Sequence, residues 1–187
     1  MKNTNKPLTT YEWLREFEAP IYKPNIPEKK AITWDWLPQD YEAESRFYEK
    51  DCWYEAETMK ESHVKKEYDW VCRNLDALLE KHGYSREGLH YRVDQANHDT
   101  LVFFCHFGVE SVLLSHLLNI SPMQLWHGMV AAPSSVTTLT SEERRKGWAV
   151  FRMQSFGDIS HLYMAGLQPS FAARFSECFD DENGRID

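Results

Sequence analysis

The sequence points to an α/β domain, and three stretches carry that reading. The first is "TLVFFCHFGVESVLLSHLLNI", residues 100–120, where an apolar run from Leu101 to Cys105 stops at His106 and a helical pattern begins. Leu101–Cys105 is apolar at every position and rich in aromatics, which predicts a strand covered on both faces, as in a parallel sheet. Beyond Gly108, apolar residues fall at Val109, Val112, Leu113, Leu117 and Ile120, one face of a helix. The second stretch is "SHVKKEYDWVCRNLDALLEKH", residues 62–82. There Val64, Tyr68, Val71, Leu75, Leu78 and Leu79 recur at spacings of three and four, Ser62 offers an N-cap, and Gly83 offers a stop. The third is the pair "SVTTLT" (135–140) and "WAVFRMQ" (148–154), which read as strands joined by the polar hairpin loop "SEERRKG".

The other segments follow from simpler signals. Residues 1–41 are irregular, because Pro20, Pro24, Pro27 and Pro38 interrupt any regular element. Trp13, Trp34 and Trp36 are too large to leave in water, so this segment is expected to be an ordered, packed loop that shapes a pocket. Residues 42–60 are expected to be helical in part, and 84–99 to be a loop with little apolar content. Ser121-Pro122 restarts a helix with a cap and a first-turn proline. The acidic end, "DDENGRID" (180–187), is expected to be a flexible tail.

Composition excludes several classes. A chain of 187 residues is long enough for one domain with a sizeable core. Its 29 acidic against 21 basic residues give a net charge of -8, which argues against a nucleic-acid partner. No apolar run is long enough to span a bilayer, so no membrane association is expected. The first residues lack the apolar centre of a signal peptide. Cys52, Cys72, Cys105 and Cys178 lie far apart with no CxxC pair, as expected of reduced thiols in a cytoplasmic protein. "DQANHD" (94–99) offers an acid and a histidine without a second ligand pair, so no metal is expected, and no cofactor either.

The junction at His106 carries the chemistry. Ligands of open α/β sheets bind at the carboxyl ends of strands, where the following helix directs its free N–H groups and positive dipole end. A protonated His106 there would donate to a phosphoryl oxygen, and Gly108 would allow close approach of the backbone. A packed or capping His106 accounts for the spacing equally well. The tryptophans of "WDWLPQDY" (34–41) either line a substrate pocket or pack as part of the loop. His116 lies on the apolar helix face and reads as a core histidine, His127 as structural, and Cys105 as a buried, inert thiol.

"LVFFCHFGVESVLLSHLL" resembles the second-histidine segment of the histidine phosphatases, the phosphoglycerate-mutase-like superfamily. "YEWLREFEAP" is similar to that family's Leu-Arg/Asn-Glu segment, and "FRMQSFGDISHLY" to its late strand closing in Asp-x-Ser/Ala-His-Leu. The resemblance covers about residues 11–165. It implies a partial three-layer sheet flanked by helices, with a helical lid insertion over residues 20–95, in a single domain spanning 1–187. It also implies phosphoryl transfer. A histidine of an Arg-His-Gly motif attacks phosphorus and a phosphohistidine forms. Arginines and the second histidine hold the phosphoryl oxygens, and a carboxylic acid protonates the leaving oxygen. Carried over by residue, His106 is the phosphate-binding histidine and Glu16 the acid, with Glu18 in that place if the register shifts. Phe107, standing where the family has a small residue, together with Gly108, Trp34 and Trp36, would contact substrate. His161 matches the late Ser-His-Leu segment and reads as structural.

The departure from the family is at the front. None of the eight histidines follows an arginine, and only twelve residues precede Trp13, too few for a βαβ unit. The chain therefore looks N-terminally incomplete, as the C-terminal two-thirds of a histidine phosphatase without its nucleophile. The expected function is phosphomonoester hydrolysis of a phosphorylated small molecule in the complete protein, phosphatase rather than mutase, with little or no turnover by these 187 residues. The alternative is a catalytically inactive domain of the same fold that binds a phosphorylated ligand or a protein. A missing central strand would also leave sheet edges exposed, which implies self-association through that edge.

Overall fold

Six α-helices and two antiparallel sheets make up residues 6–170, the part of the chain that the computed structural model describes. The expected tail at 180–187 lies outside the described residues, as does Cys178. In chain order the elements are β1 (Ile21–Lys23), β2 (Ile26–Ala31), α1 (Pro38–Glu42), α2 (Glu57–Lys60), α3 (Val64–Glu80), β3 (Tyr84–Glu87) and β4 (His90–Val93). Then come α4 (Phe107–Leu118), α5 (Pro122–Gly128), β5 (Val136–Arg145), β6 (Trp148–Asp158) and α6 (Ser160–Met164). No helix among the described residues is long and apolar enough to cross a membrane.

The helices form where periodicity and end signals agree. α3 buries Val64, Tyr68, Val71, Leu75, Leu78 and Leu79, the stripe that the sequence predicts. His63 rather than Ser62 occupies the N-cap, but the Ser62 hydroxyl accepts the Val64 N–H at 3.2 Å and so does the capping work. Gly83, at φ +84°, ends the helix. α4 departs from the one-faced pattern, with Gly108, Val109 and the whole run Ser111–Ser115 buried. Of its buried serines, Ser115 bonds the Tyr68 hydroxyl at 2.9 Å and the Ile120 carbonyl at 2.7 Å.

Aromatic side chains join these helices to the N-terminal segment. Phe17 stacks on Trp126 of α5 at 5.5 Å, and Trp53 meets both Tyr68 of α3 (5.3 Å) and Trp126 (5.8 Å) edge-on. Residues 20–95, expected as a helical lid, are not helical throughout. They hold the β1–β2 hairpin and the β3–β4 hairpin as well, and α3 within them is part of the main core.

The main sheet has the order β3-β4-β6-β5, antiparallel at every pairing. This corrects the expected parallel sheet. Residues 84–99, expected as a loop, contain β3 and β4, closed by a two-residue turn in which Gly88 takes φ +64°. The signal is missing locally because the hairpin is held from outside. The Tyr91 hydroxyl donates to Asp76 of α3 at 2.9 Å and accepts from Arg86 at 2.6 Å. "SEERRKG" is a loop only at Lys146-Gly147, since Ser141–Arg145 continue β5. The charges of Glu143, Arg144 and Arg145 lie exposed on this edge strand, where charge discourages further pairing. Leu101–Phe104 alternates in burial as extended backbone does, but Leu101–Cys105 pairs with no strand among the described residues. Leu101 and Phe103 face the core, Val102 and Phe104 face solvent, and Cys105 is exposed rather than buried.

One histidine ties the N-terminal segment to α5. His127 Nδ1–H donates to the Met123 carbonyl at 2.7 Å, and Nε2 accepts the Trp36 backbone N–H at 3.0 Å. Both bonds together require the neutral ring. The imidazole stacks on Tyr41 at 4.7 Å, and burial holds its pKa below the ordinary histidine value, with nearby Lys23 acting the same way and the Met123 carbonyl and Asp35 opposing. A base with a depressed folded-state pKa binds fewer protons when folded, so its stabilisation is complete above the unfolded value, about 6.5. It declines as pH falls through that value towards the folded one. Urea unfolding is expected to show stability falling between pH 7 and pH 5, with a shallower slope in His127→Gln. An unchanged slope in the variant would contradict this role.

Candidate functional site

The candidate site forms where the segment after Tyr11 crosses the start of α4. Residues Glu12–Leu14 make one 3₁₀ turn that buries Trp13, and the chain then runs extended past Phe17. This brings Glu16 to the helix N-terminus. Its Oε1 accepts the Val109 N–H at 3.1 Å and the Phe17 N–H at 2.7 Å. One of the four N–H groups that a helix cannot satisfy internally is thus met by a carboxylate, favoured there by the helix dipole as well. Oε2 takes no hydrogen bond among the described residues.

Gly108 makes this crossing possible. A Cβ at this position would lie 2.5 Å from Glu16 Oε1 and 2.6 Å from Trp34 Nε1, closer than any side chain tolerates. The glycine therefore serves the approach of two protein groups, the carboxylate and an indole. Its carbonyl accepts from Trp126 Nε1 at 3.0 Å. Trp34 donates its own Nε1–H to the Phe17 carbonyl at 2.9 Å and stands edge-on to Phe107 at 5.7 Å. Beneath the turn, the buried Lys23 ammonium donates to the Trp34 carbonyl at 3.1 Å and the Asp35 carbonyl at 2.5 Å. Burial lowers the Lys23 pKa, against the pull of Asp35.

His106 is the N-cap residue of α4, in extended conformation with an exposed side chain. Its imidazole bonds nothing among the described residues. One turn further on lies Glu110, a residue that the sequence reading passes over. Its carboxyl is half-buried, its pKa raised by burial and partly drawn back by a hydrogen bond with Thr137. The Thr137 hydroxyl also accepts the Gly157 N–H at 3.2 Å. The available signal for Glu110 was its place four residues after His106, one helical turn away.

Of the expected site residues, the structure brings Glu16, His106, Phe107, Gly108 and Trp34 to one helix end. Glu18 is exposed and makes no bond to α4, which leaves Glu16 as the carboxylate at this place. Trp36 turns into the core, packing on Phe47 at 4.9 Å with its Nε1–H on the Thr33 carbonyl at 2.6 Å. Trp34 is likewise buried, so both indoles act through packing. His161 is exposed on α6, one residue past Ser160, whose N–H binds Asp158 at 2.7 Å. His116 bonds Asp76 at 2.8 Å, joining α4 to α3. Among the described residues no group of three or more potential ligands could hold a metal ion.

A surface groove of about 470 Å³ opens beside Glu16, lined also by Arg15, Glu18, Pro20, Lys30 and His63. Arg15 is paired with Glu67 of α3. Comparison of the chain with protein-family models, with curated proteins and with solved structures finds no match.

The crossing is testable by a double-mutant cycle. Gly108→Ala is expected to cost about 1–3 kcal/mol through overpacking, and Glu16→Ala about 1 kcal/mol through the lost cap. The double variant should cost less than the sum, because Glu16→Ala removes one of the two atoms that the new methyl meets. Strict additivity in urea unfolding would place the Gly108 methyl elsewhere.

Proposed function

We propose that this chain handles phosphomonoesters at the N-terminus of α4, in the manner of the histidine phosphatases. The observation that carries the reading is the Glu16–Val109 hydrogen bond, which sets the expected acid one helical turn from the expected phosphate-binding histidine. The third similar segment reaches the same helix end through Gly157, Thr137 and Glu110. Three stretches far apart in sequence thus meet at one place.

Each residue has a definite task in this reading. The His106 imidazole, exposed and without a bond to the described residues, donates to a phosphoryl oxygen, and the dipole of the twelve-residue α4 supports the anion. Glu16 is anchored through Oε1, leaving Oε2 to give a proton to the leaving oxygen. Glu110, kept protonated to higher pH than an ordinary carboxyl, is a second proton donor one turn along α4 from His106. Phe107 borders the site and is held edge-on by the buried Trp34. The proposal extends to the three-layer arrangement of that family and to a cytoplasmic setting.

These 187 residues include no Arg-His-Gly, and that observation favours a second reading, a phosphoryl-binding domain that does not turn its ligand over. Hydrolysis would require a nucleophilic histidine from outside this sequence. With p-nitrophenyl phosphate the chain is expected to show no turnover above the blank. Inorganic phosphate should shift the His106 ring signals in an NMR titration, and the shift should vanish in His106→Ala. Turnover that His106→Ala abolishes would overturn the binding-only reading. Ring signals indifferent to phosphate would overturn the phosphoryl reading itself.

A further inference from the structure

The segment Leu101–Cys105 presents an unusual combination. It leads directly into α4, and its backbone N–H and C=O groups make no hydrogen bond with the described residues. Its side chains alternate. Leu101 and Phe103 pack against the core, with Phe103 edge-on to Trp13 at 6.3 Å. Val102 and Phe104 are 71% and 84% exposed. An apolar strand anchored by one face, with its ladder groups unused, is a template for another strand. Strand addition supplies main-chain hydrogen bonds, and alternate side chains supply the fit.

We propose that this strand pairs antiparallel with the same strand of a second copy of the chain, about a twofold axis through Phe103. Two observations select that occupant. The first is self-complementarity. With Phe103 on the axis, Val102 of each copy stands opposite Phe104 of the other, and β-branched–aromatic pairs are among the favourable cross-strand neighbours. The second is charge. Between Asp99 and Glu110 the sequence has no charged side chain except His106 when protonated, so the net charge of -8 resides away from the contact. The pairing is independent of the phosphoryl reading.

A five-residue strand pair is a small interface, so the dimer is expected to dissociate on dilution through the micromolar range. Sedimentation equilibrium and amide hydrogen exchange on the full chain test it together. The expected result is an average mass rising with concentration from the 22.1 kDa of one chain towards that of two. Protection at residues 101–105 should rise in parallel. Phe104→Lys, and separately Val102→Lys, should leave the circular-dichroism melt of the dilute protein unchanged and hold the mass at one chain. A chain that stays monomeric with these amides exchanging freely overturns the proposal. So does protection of 101–105 in the monomer, which would assign the cover to the chain itself. A dimer that survives both lysine variants overturns it as well, since it must then use another surface.

Discussion

The hydrogen bond from the Val109 N–H to Glu16 joins the two halves of the structure. A helix as buried as α4 at its first turn has to find partners for N–H groups that water cannot reach. Glu16 supplies one from a segment more than ninety residues earlier in the chain. Much else follows from that meeting. Gly108 has no side chain because Glu16 and Trp34 occupy its Cβ space. Trp34 can take that space because its indole is fixed on the Phe17 carbonyl and its backbone on Lys23. The next stretch, Asp35-Trp36, is fastened to α5 by His127. The N-terminal segment is thus a structural strap across α4 and α5, held by directional bonds on either side of the short β1–β2 hairpin.

The same arrangement explains how a structural contact and the proposed phosphoryl site coincide. A carboxylate that caps a helix is usually spent on that task. Here, among the described residues, only one oxygen is used, and the side chain of the cap residue itself, His106, is exposed and bonds none of them. Gly108 serves this geometry in a different way from the expected one. The sequence suggests a glycine that admits a ligand to the backbone, whereas the protein's own carboxylate and indole fill that place.

What was legible in the sequence follows a physical rule. α3, α5 and the β5–β6 pair carry their signals locally, in apolar spacing, in Ser121-Pro122 and in alternation, and they form where expected. The β3–β4 hairpin does not, because only Tyr91 and Val93 of its strands are buried and Tyr91 is held by Asp76 of α3. At Leu101–Cys105 the apolar run implied a strand covered on both faces, whereas the segment joins no sheet among the described residues and leaves Val102 and Phe104 exposed. Composition expresses only the demand for cover on both faces; whether a neighbour meets that demand is a property of the assembled chain. Glu16 carried no local signal beyond its resemblance to a family segment, and Glu110 was obscured by its place on the polar side of the helix pattern.

The account rests on Glu16 holding the start of α4, and solution NMR can observe that bond directly. A long-range HNCO experiment reads scalar coupling across a hydrogen bond, here between the Val109 amide nitrogen and the Glu16 carboxyl carbon. The account requires a detectable coupling, together with a Val109 amide protected from exchange whose protection falls in Glu16→Ala. A Val109 amide that exchanges as freely as an unstructured one, with no coupling to Glu16, would contradict it, because the strap, the close approach at Gly108 and the placing of Glu16 at the start of α4 would then have lost their common anchor.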